Sequence, residues 1–441
     1  MARFELLDAV IPMIRTAYVN EITPEMDGKE VTVAGWVHEV RELGKVTFLL
    51  LRDMSGIVQI VAKKGATDES VMSALSLPKE SVISVRGTVK ANKEARAGYE
   101  IAPIEVKNLN PLSASIPFEV TGKVPVELDV RLNYRYIDLR RIQSTAIFRI
   151  ESTILNSFRE GLQQKGFNEI RTSSIVAEAT EGGSELFEIK YFDEKAFLAQ
   201  SPQLYKQFAV IGGLDKVFMV MPVYRAEKSN DTYHINEITQ MDVEIGFADH
   251  NDAMQLLEET FKHIIGDVKK KNVRELEELG VKLDVPAVKR VSYEEAVESL
   301  KAHGESIKPG DDFSRENEIK LGEIFGDAVL VYEYPTAVRA FYSMPKEGDS
   351  EVCNSFDMIY KGLEISSGAQ RIHMPEMLIE AIKRKGLEPK NFEFYVNAFR
   401  CGAPPHAGWS IGLERFAMKM MNLQNIRECT LFPRDRKRIR P

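Results

Sequence analysis

The sequence predicts an α+β protein of two domains, a five-stranded β-barrel followed by a larger antiparallel sheet flanked by helices. Three observations predict it. Five short β-rich runs separated by turn residues crowd between Val31 and Val106. A stretch carrying Pro111, Pro117 and Pro125, with little periodicity, follows them. Beyond it, long strand-like segments lack regular βαβ crossovers, which argues against a doubly wound sheet.

The barrel runs are VTVAGWV (31–37), VTFLLLRD (46–53), GIVQIVA (56–62), SVISVRGTV (81–89) and YEIAPIEV (99–106). Their alternation and β-branched content mark strands, and one helical piece, DESVMSALSL (68–77), separates the third from the fourth, as in an OB-type barrel. The boundaries drawn are a short extension over 1–12, the barrel over 13–112, a linker over 113–140 and the larger domain over 141–441. In that domain Ile147, Ile150, Ile154, Phe158 and Leu162 recur at spacings of three and four and end at Lys165-Gly166, predicting an amphipathic helix over 144–165. Strands are predicted at NEIRTSSIV, AFLAQS, KVFMVMPVYRAE, NEITQMDVEIGF and FDMIYKGLEISSG. Helices over Asn251–Lys271, Ser292–Ala302, Met374–Lys385 and Leu413–Met421 are expected to cover the sheet.

Composition narrows the function classes. With 44% apolar and 28% charged residues the 441-residue chain is neither disordered nor fibrous. No window approaches a membrane span, and the N-terminus is too charged for a secretory signal. Cys353, Cys401 and Cys429 are scattered, without metal or disulfide spacing, so a reducing cytoplasm is expected. A net charge of −8 (58 − 66) by itself argues against a nucleic-acid partner unless basic groups are concentrated locally. No GxxxxGK[ST], GxGxxG, HExxH or GxSxG motif is present. Any nucleotide must therefore be held by side-chain charge.

Two segments offer that charge. PVYRAEKSNDTYHINEITQMDVEIGF places Arg225 and Glu227 two apart at a strand end, and its return brings His234, Glu237, Asp242 and Glu244. Arg is a planar fork for phosphate, and Glu accepts from an exocyclic amine. A salt-bridge ladder on a solvated face is the alternative. PPHAGWSIGLERFAMKM sets Gly408, Gly412, Glu414 and Arg415 at a helix start, where small residues let a flat ligand approach and Arg can stack on it.

Together these segments resemble motifs 2 and 3 of the class II aminoacyl-tRNA synthetases, with 144–178 as motif 1. ATEGGSELF (179–187), AQSPQLYKQ (199–207), KGLEISSGAQRIH (361–373) and LFPRDRKRIRP (431–441) closely resemble the archaeal and eukaryotic-like type of aspartyl-tRNA synthetases, over residues 13–441. The resemblance implies a homodimer that, with ATP and Mg²⁺, activates L-aspartate and transfers it to the 3′ end of tRNA(Asp). It implies no membrane association. The rivals are an asparaginyl enzyme, a non-catalytic tRNA-binding paralogue and an amide-forming synthetase.

The resemblance also implies roles. Arg225 would clamp the α-phosphate and touch the aspartate carboxylate, Glu227 would read the adenine amine, and Tyr233, His234 and Ile235 would lie along the ATP. Arg415 would cover the other adenine face, with Gly412, Leu413 and Glu414 shaping the floor. ATP carries about four negative charges, so Mg²⁺ is required; Glu364 and Ser367, with Asp357, look like its set. For aspartate, Glu181 would pair with the ammonium, Gln203 and Ser367 would line the site, and Lys206 and Arg371 would meet the side-chain carboxylate. Two unpaired cations would reject asparagine by a factor on the order of 10⁴. A surface position for Lys206 is the alternative. In the barrel, Phe48, Gln59 and Arg41 would hold the anticodon, unless Phe48 is a core residue. Lys45 and Arg96 would add local positive charge.

Departures from the family pattern occur at Ser173 (usually Pro), Tyr233 (commonly Arg), Ile238 (often aromatic), and Ala407, Trp409 and Ser410 in motif 3. Tyr233 is expected to leave one positive charge fewer near the phosphates. His38, with Arg96 as a second region, resembles the relaxed enzymes that also charge tRNA(Asn); a discriminating enzyme with a plain surface histidine is the alternative.

Overall fold

The structure, a computed structural model, describes residues 14–95, 97–177, 186–229 and 231–440. The chain divides after Pro117 into two compact units. The first is a closed barrel, in order β1-β2-β3-β5-β4, of β1 (Glu30–Leu43), β2 (Val46–Arg52), β3 (Ile57–Lys63), β4 (Val82–Ala91) and β5 (Tyr99–Asn110), with α1 (Glu69–Ala74) after β3. Thr47, Leu49 and Leu51 are buried, whereas Phe48 and Leu50 are half-buried on the opposite face. Phe48 is therefore an outward residue, opposite Arg41 on β1 and one step along from Gln59 on β3.

The second unit opens with α2 (Leu128–Asn133) and α3 (Arg135–Asp138), which occupy part of the predicted linker, 113–140. Neither is long enough to show periodicity; tertiary contacts hold them. Arg135, fully buried, donates to the carbonyls of Glu428, Thr430 and Leu431 and to Asp138 Oδ2 at 2.6 Å. Then come α4 (Ile142–Gln164), β6 (Asn168–Glu169), β7 (Ile175–Val176), β8 (Glu188–Tyr191), β9 (Glu194–Leu198), α5 (Gln203–Ile211), β10 (Lys216–Tyr224) and β11 (Glu237–Gly246). After them follow α6 (His250–Lys271), α7 (Val273–Glu278), β12 (Val288–Ser292), α8 (Tyr293–Ala302), α9 (Arg315–Phe325) and β13 (Ala328–Tyr332). The unit ends with β14 (Pro345–Lys346), β15 (Asp349–Cys353), β16 (Ser355–Tyr360), β17 (Leu363–Arg371), α10 (Pro375–Arg384), α11 (Glu393–Arg400), β18 (His406–Gly412) and α12 (Leu413–Met420).

Eight strands form one sheet in the order β12-β13-β16-β17-β18-β11-β10-β6. Its centre is antiparallel, as predicted, while each edge pair (β12/β13 and β6/β10) is parallel. FDMIYKGLEISSG proves to be two strands joined at Lys361 and Gly362, both with positive φ. One sheet face is apolar: Met241, Val243, Ala407, Trp409 and Ile411 pack into a core with Ile150, Ile154 and Phe158 of α4 and Leu257, Phe261 and Ile264 of α6. Ala407 and Trp409 belong to that core, so these two departures in motif 3 change packing behind the sheet. The opposite face of the same strands carries Gln240, Asp242 and Glu244 on β11 and Gly408, Ser410 and Gly412 on β18, paired residue for residue. A polar floor with almost no side chains on its middle strand leaves room for a ligand.

Candidate active site

Over that floor lies a cleft of about 110 Å³ lined by Arg225, Glu227, Tyr233, His234, Ile235, Ile238, Gln240, Glu364, Ser367, Gly412, Glu414 and Arg415, among others. Side chains from three separated segments converge here because β11, β18 and β17 are adjacent in the sheet. Arg225 and Glu227 sit just past the end of β10. Arg225 N–H donates to Asn236 O at 2.9 Å, and the Asn236 amide donates to the carbonyls of Arg225 (2.8 Å) and Glu227 (3.2 Å). The Arg225 side chain is half-buried and takes no partner among the described residues. A cation facing a cleft without an acid is poised for an anion.

His234 is tied down on all sides. Its Nδ1 lies 2.7 Å from Asp231 Oδ2, and Nε2 lies 3.3 Å from Arg415 Nη2 and 3.5 Å from Glu227 Oε2. Arg415 also reaches the Glu364 carbonyl at 3.4 Å. Behind Tyr233 stands the guanidinium of Arg315, 4.7 Å from the ring centroid and itself paired with Glu318. Leu413 is buried beneath the cleft, and Glu414, also buried, accepts the Thr239 N–H at 2.9 and 3.0 Å, its carboxyl pushed up to about 7 by burial. Gly408 differs from expectation. A Cβ there would meet Glu244 Oε2 at 2.3 Å, so this glycine makes room for the Glu244 carboxylate, while Gly412 is open to the cleft.

Glu364 and Ser367, three apart, share a face because the register shifts between Met358 and Ile359, leaving Ile365 as a bulge. Burial, then repulsion from Asp357, pushes the Glu364 carboxyl up to about 7. Such a carboxylate, beside a hydroxyl and with Arg415 no nearer than 3.9 Å, suits a hard divalent cation. Asp357 fits less well, since both its oxygens are engaged by Arg339. Among the described residues no group of three or more His, Cys, Asp or Glu could hold a metal.

The next row of the floor holds the deepest charges. Lys206 is 1% exposed, not a surface lysine, and its Nζ lies 2.9 Å from Asp242 Oδ1 and 3.4 Å from Glu244 Oε2. Arg371 Nε lies 2.9 Å from Glu244 Oε1. The expectation of two unpaired cations is thereby corrected: both are already shared with buried acids, so asparagine would leave neither bare. Burial pushes the Asp242 carboxyl up, while Glu244, despite burial, is held below the usual range by Arg371 and Lys206. His406, its ring hydrogen-bonded to Pro404 O and the Gln207 amide, has its pKa lowered by burial. Gln203 Nε2, Gln240 Oε1, Asp242 Oδ2, Ser366 Oγ and Ser410 Oγ are buried without a hydrogen-bond partner among the described residues. Of these, Gln240, Asp242 and Ser410 share the floor of the sheet, where unsatisfied polar atoms suit a polar ligand.

Glu181 and Arg96 lie outside the described residues. In the barrel, His38 sits at a bulge between Val37 and Glu39, its Nδ1 2.9 Å from Arg52 Nη1, and Arg52 forks onto Glu80 at 2.8 and 2.9 Å. Arg41 lies 2.8 Å from Glu39, and Gln59 approaches Glu100 at 3.4 Å. Sequence reasoning assigned no role to Gln240 or Ser366, which cross-strand register brings to the cleft, nor to Asn236, Arg315 and Arg339, which stand outside its lining against Arg225, Tyr233 and Asp357.

Residues 127–436 match the family described as tRNA synthetases class II (D, K and N), and residues 31–109 match the OB-fold nucleic acid binding domain. The chain is 47% identical to the aspartate–tRNA(Asp/Asn) ligase of Methanocaldococcus jannaschii, covering 97% of this chain and 98% of that protein. It is 48% identical to the ligase of the same name from Archaeoglobus fulgidus, with 96% and 99% covered. Among solved structures it is similar to the asparaginyl-tRNA synthetase from Pyrococcus horikoshii complexed with asparaginyl-adenylate (TM-score 0.92, 33% identity, 97% of this chain and 100% of that one). It is also similar to the aspartyl-tRNA synthetase from Entamoeba histolytica (TM-score 0.87, 34% identity, 96% and 92%). With these matches along nearly its whole length, the chain belongs to the class II tRNA synthetases of the D, K and N group.

Proposed function

We propose that the protein uses ATP to convert L-aspartate to aspartyl-adenylate and transfers the aspartyl group to the 3′ end of both tRNA(Asp) and tRNA(Asn). The observation that carries the choice of aspartate is the buried row of Lys206, Asp242, Glu244 and Arg371 beside orphaned polar atoms. An incoming side-chain carboxylate would share Lys206 and Arg371 with Asp242 and Glu244. A carboxamide offers less to these cations, although their pairing makes the penalty smaller than for bare charges.

Arg225, free of acidic partners, is assigned to the α-phosphate, and Glu227 to the adenine amine. Arg415 and His234 are assigned to the adenine and outer-phosphate side of the cleft. The α-carboxylate of aspartate attacks the α-phosphorus and pyrophosphate leaves; the terminal 3′-hydroxyl then takes the acyl group. Positioning and preorganised charge supply the rate, so no general base is assigned. Glu364 and Ser367 would hold Mg²⁺, which when bound neutralises part of the triphosphate charge. Glu181 is assigned to the α-ammonium on resemblance alone. We assign tRNA anticodon binding to the barrel and catalysis to the second unit, which takes in α2 and α3 of the expected linker.

Phe48, outward and flanked by Arg41 and Gln59, is assigned to anticodon stacking. Phe48→Ala is expected to weaken tRNA binding by about 1–3 kcal/mol, measured by filter binding, with ATP–pyrophosphate exchange unchanged. Loss of both together would indicate a misfolded barrel. His38, aimed by its bulge and by Arg52, supports charging of both tRNAs, as the names of the Methanocaldococcus and Archaeoglobus relatives describe for those proteins. The test is aspartylation of purified tRNA(Asp) and tRNA(Asn) transcripts. A homodimer is proposed, with β6 at the sheet edge and the preceding α4 as the shared surface. Among the described residues no helix is long and apolar enough to cross a membrane. A cytoplasmic location is proposed because charging takes place where tRNA is used.

A further inference from the structure

We infer that Arg315, the first residue of α9, is a positioning residue for the outer-phosphate end of ATP, acting through Tyr233 and Glu318. The inference rests on the cleft being the ATP site. Arg315 stands behind the cleft and is linked to two of its lining residues, Tyr233 directly and Glu364 through Glu318. On one side its guanidinium lies 4.7 Å from the centroid of Tyr233, which lines the cleft beside His234. On the other, Nη1 donates to Glu318 Oε2 at 2.9 Å and to the Gly362 carbonyl.

Glu318 carries the contact onward. Its Oε2 accepts the backbone N–H of Glu364 at 3.2 Å, at the start of β17 and just ahead of the bulge that turns Glu364 and Ser367 to one face. The loop bearing Tyr233 and His234 and the strand bearing Glu364 are thus tied to each other through two side chains of α9, Arg315 and Glu318, in addition to Arg415. Without Arg315, the half-buried Glu318 would lean for charge compensation on Lys419 and on Arg415, the cation assigned to the nucleotide. Arg315 Nε is buried without a partner among the described residues, so the fork is not consumed by its structural contacts.

The test is steady-state ATP–pyrophosphate exchange by the full chain carrying Arg315→Ala or Arg315→Gln, with a thermal melt of each. The KM for ATP is expected to rise about tenfold, while the KM for aspartate stays within about twofold, because the contacts reach Tyr233 and Glu364 and not Lys206 or Arg371. A residue that only braces the fold would lower the melting temperature and the active fraction without separating the two KM values. An unchanged KM for ATP in a folded variant, or an equal rise in both constants, overturns the inference. If the alanine variant does not fold, the glutamine variant, which keeps a donor toward Glu318, decides by the same split. Arg225→Ala serves as the control: full exchange in that variant would refute the ATP-site assignment, whereas unchanged constants at position 315 alone refute only the role of Arg315.

Discussion

Arg225→Ala and Arg415→Ala are each expected to lower aspartate-dependent ATP–pyrophosphate exchange by about 10³-fold or more, with little change in melting temperature. The reason lies in how little else these side chains do. Arg225 takes no partner among the described residues, and Arg415 reaches only the Glu364 backbone and carboxylate and the His234 ring, partly open to the cleft. Among the described residues neither arginine is within hydrogen-bond distance of a carboxylate, and Glu364, 3.9 Å from Arg415, keeps a 37% exposed side chain, so little stability is expected to be lost. What disappears is a fixed positive charge aimed at a phosphate that becomes more negative as the transition state forms. Near wild-type exchange in both variants would contradict the assignment of the cleft to ATP.

Lys206→Met is expected to behave in the opposite way and to damage both fold and function. Its ammonium is the sole hydrogen-bond partner found for Asp242 among the described residues, and both groups are about 1% exposed. Breaking such a pair costs about 3–5 kcal/mol, because the surviving carboxylate must stay buried or take up a proton. Adding Asp242→Asn removes the stranded charge, so the double variant is expected to regain most of the lost stability in a urea titration. Aspartate activation is not expected to return, since the cation that meets the substrate carboxylate is still missing. Exchange with aspartate restored in the double variant would show that Lys206 serves only to neutralise Asp242.

The barrel and the central strands were legible because each shows its period within a few residues: VTFLLLR alternates, and Ile147 to Leu162 repeats at helical spacing. Elements whose cause is tertiary were not. The helix Arg135–Asp138 exists because Arg135 is anchored to carbonyls near the C-terminus, and AVLVY is a strand buried on both faces that carries no alternation. The same division runs through the site. Arg225, Glu227, Glu364 and Arg415 stand out as charges in recognisable segments. The pairing of Lys206 with Asp242 and Glu244, the stacking of Arg315 on Tyr233 and the orphaned hydroxyls of Ser366 and Ser410 depend on register between distant strands. The i, i+3 spacing of Glu364 and Ser367, awkward for a regular strand, is resolved by the bulge at Ile365.

The central claim, activation of aspartate for two tRNAs, is tested most directly by one paired measurement: pyrophosphate exchange with aspartate or asparagine, followed by charging of tRNA(Asp) and tRNA(Asn) transcripts. The expected result is exchange with aspartate and not with asparagine, and aspartylation of both transcripts. Exchange that prefers asparagine, or charging confined to tRNA(Asp), would contradict it.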